Sequence, residues 1–237
     1  MDIGQHISQR YNQELEALRN RVLKMGGLVE AQATSALKSL LERDDELAEL
    51  VASSDYAVNK MEVDIDEECA QIIARRQPTA GDLRLILAVV KMLTDLERIG
   101  DEAAKIGQYG VKLAKKDTVI EMHAELSHLG GLVIQMLHES LDCFARMDAE
   151  QAMNIVGYEK KINQEFNSLS RLLITHMMED PRNVKSVLRV TWCARSLERI
   201  GDHAQNICEY VIYLSKGKDV RHANIDDIRT KYFAEDE

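Results

Sequence analysis

The hexapeptide Leu-Glu-Arg-Ile-Gly-Asp occurs twice in this chain of 237 residues, beginning at Leu96 and again at Leu197. Chance rarely duplicates a stretch of this length, so the repeat indicates two copies of one structural unit. Each copy places a glutamate four residues before an aspartate: Glu97 and Asp101, then Glu198 and Asp202. On a helix this spacing puts both carboxylates on one face, one turn apart, where they repel each other. The repeat therefore predicts two equivalent helices, each with an acidic face that favours a cation.

The duplication extends well beyond the hexapeptides. The apolar residues that follow Leu96 recur 101 positions later, at alternating steps of three and four residues, which predicts one long amphipathic helix in each unit. Upstream the offset is 104 positions, and Gly26-Gly27-Leu28-Val29 recurs as Gly130-Gly131-Leu132-Val133. The net loss of three residues must fall between the second and third helices of the unit.

Helix start and stop signals predict three helices in each unit. In the first unit, one helix ends before Asp44, the next ends at Arg76, and the third follows Thr79 as its N-cap. In the second unit, Asp148 opens the fifth helix and Asp180-Pro181 opens the sixth. Short turns between long helices make neighbouring helices antiparallel. We therefore predict an all-α fold: two tandem antiparallel three-helix bundles related by internal duplication, forming an elongated six-helix protein.

These signals also give boundaries for the units. The first bundle is predicted to span residues 1–116 and the second 117–216, with a linker near residues 115–118. Residues 217–237 form a polar, acidic tail, which we expect to be partly loose with one short helix.

Composition excludes several classes of protein. A charged fraction of 30%, an apolar fraction of 45%, 5% aromatic residues and only 2 prolines are typical of helical bundles. The net charge of −10, with both halves acidic, argues against a nucleic-acid-binding module and against adsorption to anionic lipid. Apolar runs are too short for a membrane span, and the first residues lack the features of a signal peptide. The 4 cysteines form no CxxC pair and are expected to be buried, reduced thiols of a cytoplasmic protein.

The spacing around each predicted turn brings further oxygen ligands to the acidic faces. Residues equidistant from the turn of an antiparallel hairpin lie at the same height. Each hexapeptide pair is thereby matched by an acid and an amide on the preceding helix: Asp55 and Asn59 in the first unit, Glu159 and Asn163 in the second. Three carboxylates and one carboxamide suit hard cations such as Mg²⁺, Mn²⁺, Ca²⁺ or iron. The sequence therefore predicts metal sites at Asp55, Asn59, Glu97 and Asp101, and at Glu159, Asn163, Glu198 and Asp202.

Residues beside the acidic faces differ between the units. Lys105 holds the position that Asn206 holds in the second unit, and we expect it to neutralise the first acidic face without metal. Arg98 has acidic neighbours on its own helix, whereas Arg199 lacks one and is predicted to reach across the bundle. Gly100 and Gly201 indicate either a close helix approach or a bound ion. A further acidic cluster is predicted to be solvated or to dock a partner: Glu62, Asp64, Asp66, Glu67 and Glu68.

These motifs resemble the PhoU family of bacterial phosphate-signalling regulators. The doubled Leu-Glu-Arg-Ile-Gly-Asp carries the resemblance, together with Arg76-Gln77-Pro78-Thr79-Ala80, Asp82-Leu83-Arg84, Glu179-Asp180-Pro181 and Gly201-Asp202-His203-Ala204-Gln205-Asn206-Ile207. The resemblance implies two three-helix bundles, commonly in a homodimer. It also implies a cytoplasmic protein, peripheral to the inner membrane through its partners, that links the phosphate transporter PstSCAB and its ATPase subunit to the sensor histidine kinase PhoR. Such proteins keep the phosphate regulon off and restrain uptake when phosphate is plentiful.

The resemblance also bears on metal binding. Some family members bind metal clusters through pairs of E(D)xxxD motifs, which correspond to Glu97 with Asp101 and Glu198 with Asp202. The matching motifs on the preceding helices depart from the pattern, because Asn59 and Asn163 stand where aspartate is expected. Each substitution removes one negative charge, so a single divalent cation, Mg²⁺, Mn²⁺ or Fe, is expected rather than a cluster.

Two alternatives to a non-enzymatic adaptor stay open at this stage. A ferritin-like di-iron protein requires two Glu-x-x-His motifs on different helices, and Glu125 with His128 is the match we find. A metal-free helical scaffold is the other alternative, and its partner binding and stability would be unchanged by chelation.

Overall fold

The computed structural model describes residues 9–115 and 123–221, and these residues fold into eight α-helices and one short 3₁₀ helix. The first repeat contains α1 (Gln9–Glu42), α2 (Asp45–Ala52), α3 (Asp55–Arg76) and α4 (Ala80–Ala114). The second contains α5 (His123–Arg146), α6 (Ala149–Val156), α7 (Tyr158–Glu179), the 3₁₀ helix (Pro181–Asn183) and α8 (Val184–Lys216). The predicted all-α fold with an internal duplication is confirmed.

The second helix of each repeat is broken, which the sequence analysis did not anticipate. In the first repeat the break lies at Ser53 and Ser54, whose hydroxyls donate to backbone carbonyls of the preceding turn at 2.8 to 3.1 Å. Serine hydroxyls that bond to nearby backbone groups compete with the helical ladder. In the second repeat the break lies at Gly157, a residue with poor helix propensity. Each repeat therefore has three antiparallel segments, the middle one divided into a short and a long helix.

Asp148 caps its short helix as predicted, and Asp44 caps the equivalent helix of the first repeat. Asp148 accepts a hydrogen bond from the Gln151 amide at 2.9 Å, and its counterpart Asp44 accepts one from the Leu47 amide at 2.9 Å. Asp180 caps the 3₁₀ helix, so the sixth predicted helix begins at Val184, a few residues later than expected.

The turn before α4 is also close to the prediction but differs in its hydrogen bond. Thr79 lies at the N-cap of α4, but its hydroxyl donates to the Asp82 carboxylate at 3.4 Å and does not cap the helix.

The two repeats pack against each other through equivalent helices, α1 with α5 and α4 with α8, and share one hydrophobic core. The repeated double glycine explains the contact between α1 and α5. A Cβ atom on Gly26 would lie 2.6 Å from the Leu141 side chain, and one on Gly130 would lie 2.4 Å from Leu37. Leu37 and Leu141 are themselves equivalent, so each glycine receives the same leucine of the other repeat.

Several expectations concern residues outside the described part of the chain. They are the start of the first helix, most of the predicted linker at 115–118, and the tail beyond Arg221, including its predicted short helix. Within the described residues, no helix is long and apolar enough to cross a membrane. All four cysteines are buried and unpaired.

Candidate functional site

The predicted acidic faces lie where the broken helices resume. Asp55 is the first residue of α3, and Glu159 lies in the first turn of α7, immediately after the two breaks. A helix N-terminus carries partial positive charge, which favours carboxylates in its first turn. Their predicted counterparts lie near the middle of α4 and α8, the helices that follow in each repeat.

In the second repeat the predicted acidic residues lie within electrostatic range of one another. The Asn163 amide donates to Glu159 at 2.6 Å, and this carboxylate lies close enough to Glu198 and Asp202 to raise the pKa of both. Burial makes the larger contribution to each raised pKa, and for Glu198 the next is repulsion by Asp202. Loss of hydration and like charge both disfavour the ionised form, and the nearby Arg195 and Arg199 offset this only in part.

Glu198 has a side-chain oxygen without a hydrogen-bond partner. Arg195 donates to one of its oxygens, Oε1, but Oε2 is buried and has no hydrogen-bond partner. A buried carboxylate oxygen without a partner is costly, and a cation or an ordered water would satisfy it. The carboxylate oxygens of Glu159, Glu198 and Asp202 are of the ligand type that hard divalent cations prefer.

The first repeat builds its acidic face differently. Burial, followed by repulsion from Asp101, raises the pKa of Glu97, and Glu62 on α3 contributes to the same effect. In the sequence, Glu62 belongs to the acidic cluster predicted to be solvated or to dock a partner. The spacing could have indicated that Glu62 belongs to the acidic face, because Glu62 lies three residues after Asn59 and hence on the same side of the helix. Within the described residues, Asp55 and Asn59 form no hydrogen bond or ion pair.

In the described part of the chain, no three His, Cys, Asp or Glu side chains converge tightly enough to form a ready metal centre. Side chains would have to rotate toward a cation to coordinate it. The two faces thus offer oxygen donors, but not a preformed coordination sphere.

The residues beside the faces have other partners than those expected. Lys105 pairs with Glu102 at 3.0 Å and not with the acidic face, so its predicted neutralising role is wrong. Asn206 donates to Asp95 at 2.8 Å and does not extend the second face. The predicted reach of Arg199 across the bundle is confirmed, since it pairs with Glu102 at 2.8 Å. Arg98 is exposed and pairs with Glu97, its neighbour in sequence, at 3.5 Å.

A buried polar seam joins α4 to α8, and sequence reasoning missed most of it. Asp95 accepts hydrogen bonds from Asn206 at 2.8 Å and Tyr210 at 2.7 Å, and it pairs with His203 at 2.8 Å. Burial, and then the bond to Asp95, raise the pKa of Tyr210. The arrangement fixes the relative position of the two repeats, because each donor on α8 reaches the same carboxylate on α4.

Glu102 forms the other half of the seam. It is almost fully buried, accepts from the Ser196 hydroxyl at 2.7 Å and pairs with both Lys105 and Arg199. Ser196 is the counterpart of Asp95, and His203 is the counterpart of Glu102, so the seam follows the symmetry of the duplication.

The glycines within the hexapeptides are explained by packing. A Cβ atom on Gly201 would lie 3.1 Å from Ile162, and one on Gly100 would lie 3.3 Å from the Gln32 side-chain oxygen on α1. Close helix approach therefore accounts for both glycines.

Neutralising one carboxylate of the second face is expected to stabilise the cation-free protein. Because the pKa values of Glu198 and Asp202 are raised on folding, the folded protein binds their protons more tightly than the unfolded chain. This contribution to stability is present below the ordinary carboxylate pKa and is lost as pH rises through the raised values. At neutral pH with chelator, Asp202→Asn should raise the free energy of unfolding by roughly 0.2–0.5 kcal/mol. Urea denaturation measures this.

Asp64→Asn on the exposed face of α3 is the matched control and should change stability little. Lower stability of Asp202→Asn in chelator would contradict the account of the second face as a site of unrelieved repulsion.

Two segments, residues 22–110 and 126–211, match the model of the PhoU domain, one in each repeat. A phosphate-specific transport system accessory protein PhoU homolog of Pseudomonas putida is 50% identical over 220 residues, covering 93% of this chain and 86% of the relative.

Two crystal structures share the fold. PhoU from Pseudomonas aeruginosa superposes with a TM-score of 0.85 at 48% identity, covering 88% of this chain and 100% of that one. The phosphate transport system regulatory protein PhoU from Streptococcus pneumoniae superposes with a TM-score of 0.82 at 32% identity, covering 89% of this chain and 99% of that one.

Proposed function

The chain belongs to the PhoU family, and on that premise we propose that it is a regulatory accessory protein of a phosphate transport system. The observation that carries the proposal is the match of both repeats to the PhoU domain, together with relatives that cover nearly the whole chain and are named for phosphate transport. The finer proposal is negative regulation: when phosphate is plentiful, the protein keeps the phosphate regulon off and restrains uptake.

We propose that it acts by binding rather than by catalysis. In this role it is a cytoplasmic adaptor that contacts the ATPase subunit of PstSCAB and the kinase PhoR. It acts as a homodimer. The exposed faces of α3 and α7 offer surfaces for such contacts, and the seam at Asp95 and Glu102 keeps the two repeats in fixed register. Rigid presentation of separated surfaces suits a protein that must contact two partners.

The acidic faces have a supporting role in this proposal. A divalent cation, Mg²⁺, Mn²⁺ or Fe, would relieve the repulsion at Glu159, Glu198 and Asp202 and stabilise the bundle or report on its state. Element analysis of protein purified without chelator or affinity resin tests this. The Glu198→Gln, Asp202→Asn double variant is the matched control. The absence of bound metal, and of metal uptake from added Mg²⁺, Mn²⁺ or Fe, would remove the cation from the proposal.

Deletion of the gene tests the regulatory role directly. A reporter driven by a phosphate-regulon promoter should become strongly active in phosphate-rich medium, and a plasmid copy of the gene should restore repression. Phosphate uptake by the same cells should rise. Continued repression in the deletion strain would overturn the proposed function.

A further inference from the structure

A strip of aromatic, aliphatic and basic side chains crosses one side of the α4–α8 contact. Its members are Lys105, Tyr109 and Lys112 on α4, and Leu188, Trp192 and Arg199 on α8; we refer to them as the Trp192 strip. Trp192, the single tryptophan of the chain, is 47% exposed, and Leu188 is 37% exposed. The ring centroids of Trp192 and Tyr109 lie 5.1 Å apart. Exposed aromatic residues held in place by packing are typical anchors of protein interfaces.

The strip carries positive charge on a protein whose net charge is −10. Lys105 and Arg199 both pair with the carboxylate of Glu102. The Lys112 ammonium lies 5.5 Å from the Tyr109 ring centroid, and Arg189 beside it donates to the Lys112 carbonyl at 3.0 Å. Among the described residues, neither Lys112 nor Arg189 has a carboxylate partner. The charge of this surface therefore complements an acidic ligand.

The other side of the same contact shows what such a surface holds. There the positions equivalent to Trp192 and Tyr109 are Lys91 and Tyr210, and residues 219–221 of the same chain lie beside them. Asp219 lies 3.9 Å from the Lys91 ammonium, and Val220 is buried with only 4% exposure. Tyr210 is likewise buried, whereas Tyr109 is only half-buried. A carboxylate followed by a branched aliphatic residue thus covers one of two surfaces that the duplication makes equivalent.

We propose that the Trp192 strip is the docking surface for a partner protein, which binds through a short segment that places Asp or Glu next to an aliphatic residue. The aliphatic side chain would pack against Trp192 and Leu188, and the carboxylate would pair with Lys112 and Arg189. A peptide is favoured over an anionic lipid because the covered surface is occupied by a peptide of this chemistry. The inference rests on the proposed adaptor function, for which it names one contact surface.

The purified full chain gives the first test. Trp192 is the only source of tryptophan fluorescence, so iodide and acrylamide should both quench it efficiently, and iodide, an anion, should be favoured by the neighbouring cations. Emission typical of a shielded indole, with weak quenching by both agents, would mean that the surface is already covered and would overturn the proposal.

Cross-linking in cells gives the second test. The photoreactive residue p-benzoylphenylalanine is placed at Leu188, so that Trp192 remains, and at Tyr56 on α3 as an exposed control. Illumination of phosphate-replete cells should join position 188 to a protein segment in which Asp or Glu adjoins Val, Ile or Leu, as identified by mass spectrometry. The double charge reversal Lys112→Glu, Arg189→Glu should lower the yield at least tenfold, and Lys112→Arg should retain it.

Adducts with lipid, with a second copy of this chain or with a segment lacking carboxylates would overturn the proposal, as would no adduct at position 188. A yield unaffected by the charge reversal would do the same. The outcome is distinguishable from failure of the proposed function, which the deletion strain reports independently. Loss of repression on deletion, combined with no adduct at position 188, would reject the docking surface and leave the regulatory role standing.

Discussion

Replacing Asp95 with alanine is expected to lower the free energy of unfolding by about 3 kcal/mol, because it removes the carboxylate that joins the two repeats. Asp95 is buried and accepts from Asn206 and Tyr210 while it pairs with His203, all at 2.7 to 2.8 Å. Alanine would leave these three groups without their partner in a poorly hydrated contact. Each unsatisfied buried group costs roughly 1–3 kcal/mol, and water entering the site would offset part of the sum.

Urea denaturation followed by circular dichroism measures the effect. Asp101→Ala on the same helix is the matched control. Asp101 raises the pKa of Glu97 by repulsion, so its removal should leave stability unchanged or slightly higher. A double-mutant cycle of Asp95→Ala with Asn206→Ala should show a coupling of about 1 kcal/mol or more. A loss for Asp95→Ala no larger than that for Asp101→Ala would contradict the role assigned to the seam.

The fold was largely predictable because short stretches of the sequence show the duplication. The doubled hexapeptide and the apolar residues after Leu96 repeat with helical periodicity, so they predict equivalent helices without any knowledge of tertiary contacts. Turn residues such as Pro78 and Asp148 likewise act on their immediate neighbours. These features can be predicted from the sequence because their causes lie within a few residues.

The helix breaks were also visible locally but were outweighed by the apolar pattern. Val51 and its equivalent in the second repeat, Ile155, are both buried. These apolar residues suggest a helix that continues into the following segment. Ser53-Ser54 and Gly157 carried the opposite signal. A tertiary contact also contributes in the first repeat. The Gln32 side chain on α1 donates to the Ser54 carbonyl at 2.7 Å and stabilises the broken conformation.

The polar seam could not be derived from the same patterns. Asp95 and Glu102 have basic residues nearby on their own helix, and an ion pair within α4 was the simpler expectation. Which residue an acid meets depends on the crossing of α4 and α8, and that crossing is set by the core. Arg199 was the exception, because it lacked an acidic partner on its own helix and therefore pointed to another helix.

Only part of the candidate site could be predicted, because the sequence does not fix how two helices are rotated relative to each other. Equal distance from a turn places residues at one height but does not fix which of them face each other around the helix. In the second repeat Glu159 does approach Glu198 and Asp202. In the first repeat Glu62, one turn further along, is the residue of α3 that acts on Glu97.

Replacing Gly107 with alanine is expected to lower the free energy of unfolding by about 2 kcal/mol, although alanine is the better helix former. A Cβ atom at this position of α4 would lie 2.8 Å from the Ala48 carbonyl oxygen and 2.8 Å from the Ala52 amide nitrogen. Both are backbone atoms of α2, so relief requires the short helix to move as a body rather than a side chain to rotate. The usual gain of about 1 kcal/mol from glycine to alanine in a helix offsets only part of this cost.

Gly27→Ala provides the contrast, because a Cβ atom on exposed Gly27 in α1 meets nothing within 4 Å. That variant should gain roughly 0.5–1 kcal/mol, so the two identical substitutions should differ in sign. Displacement of α2 should also reach the acidic face, since α2 ends at the break that precedes Asp55. Amide hydrogen exchange should therefore rise in residues 45–58 of Gly107→Ala and stay unchanged there in Gly27→Ala. Equal stability of the two variants would show that α2 adapts freely, and would remove the first break as a fixed element of the site.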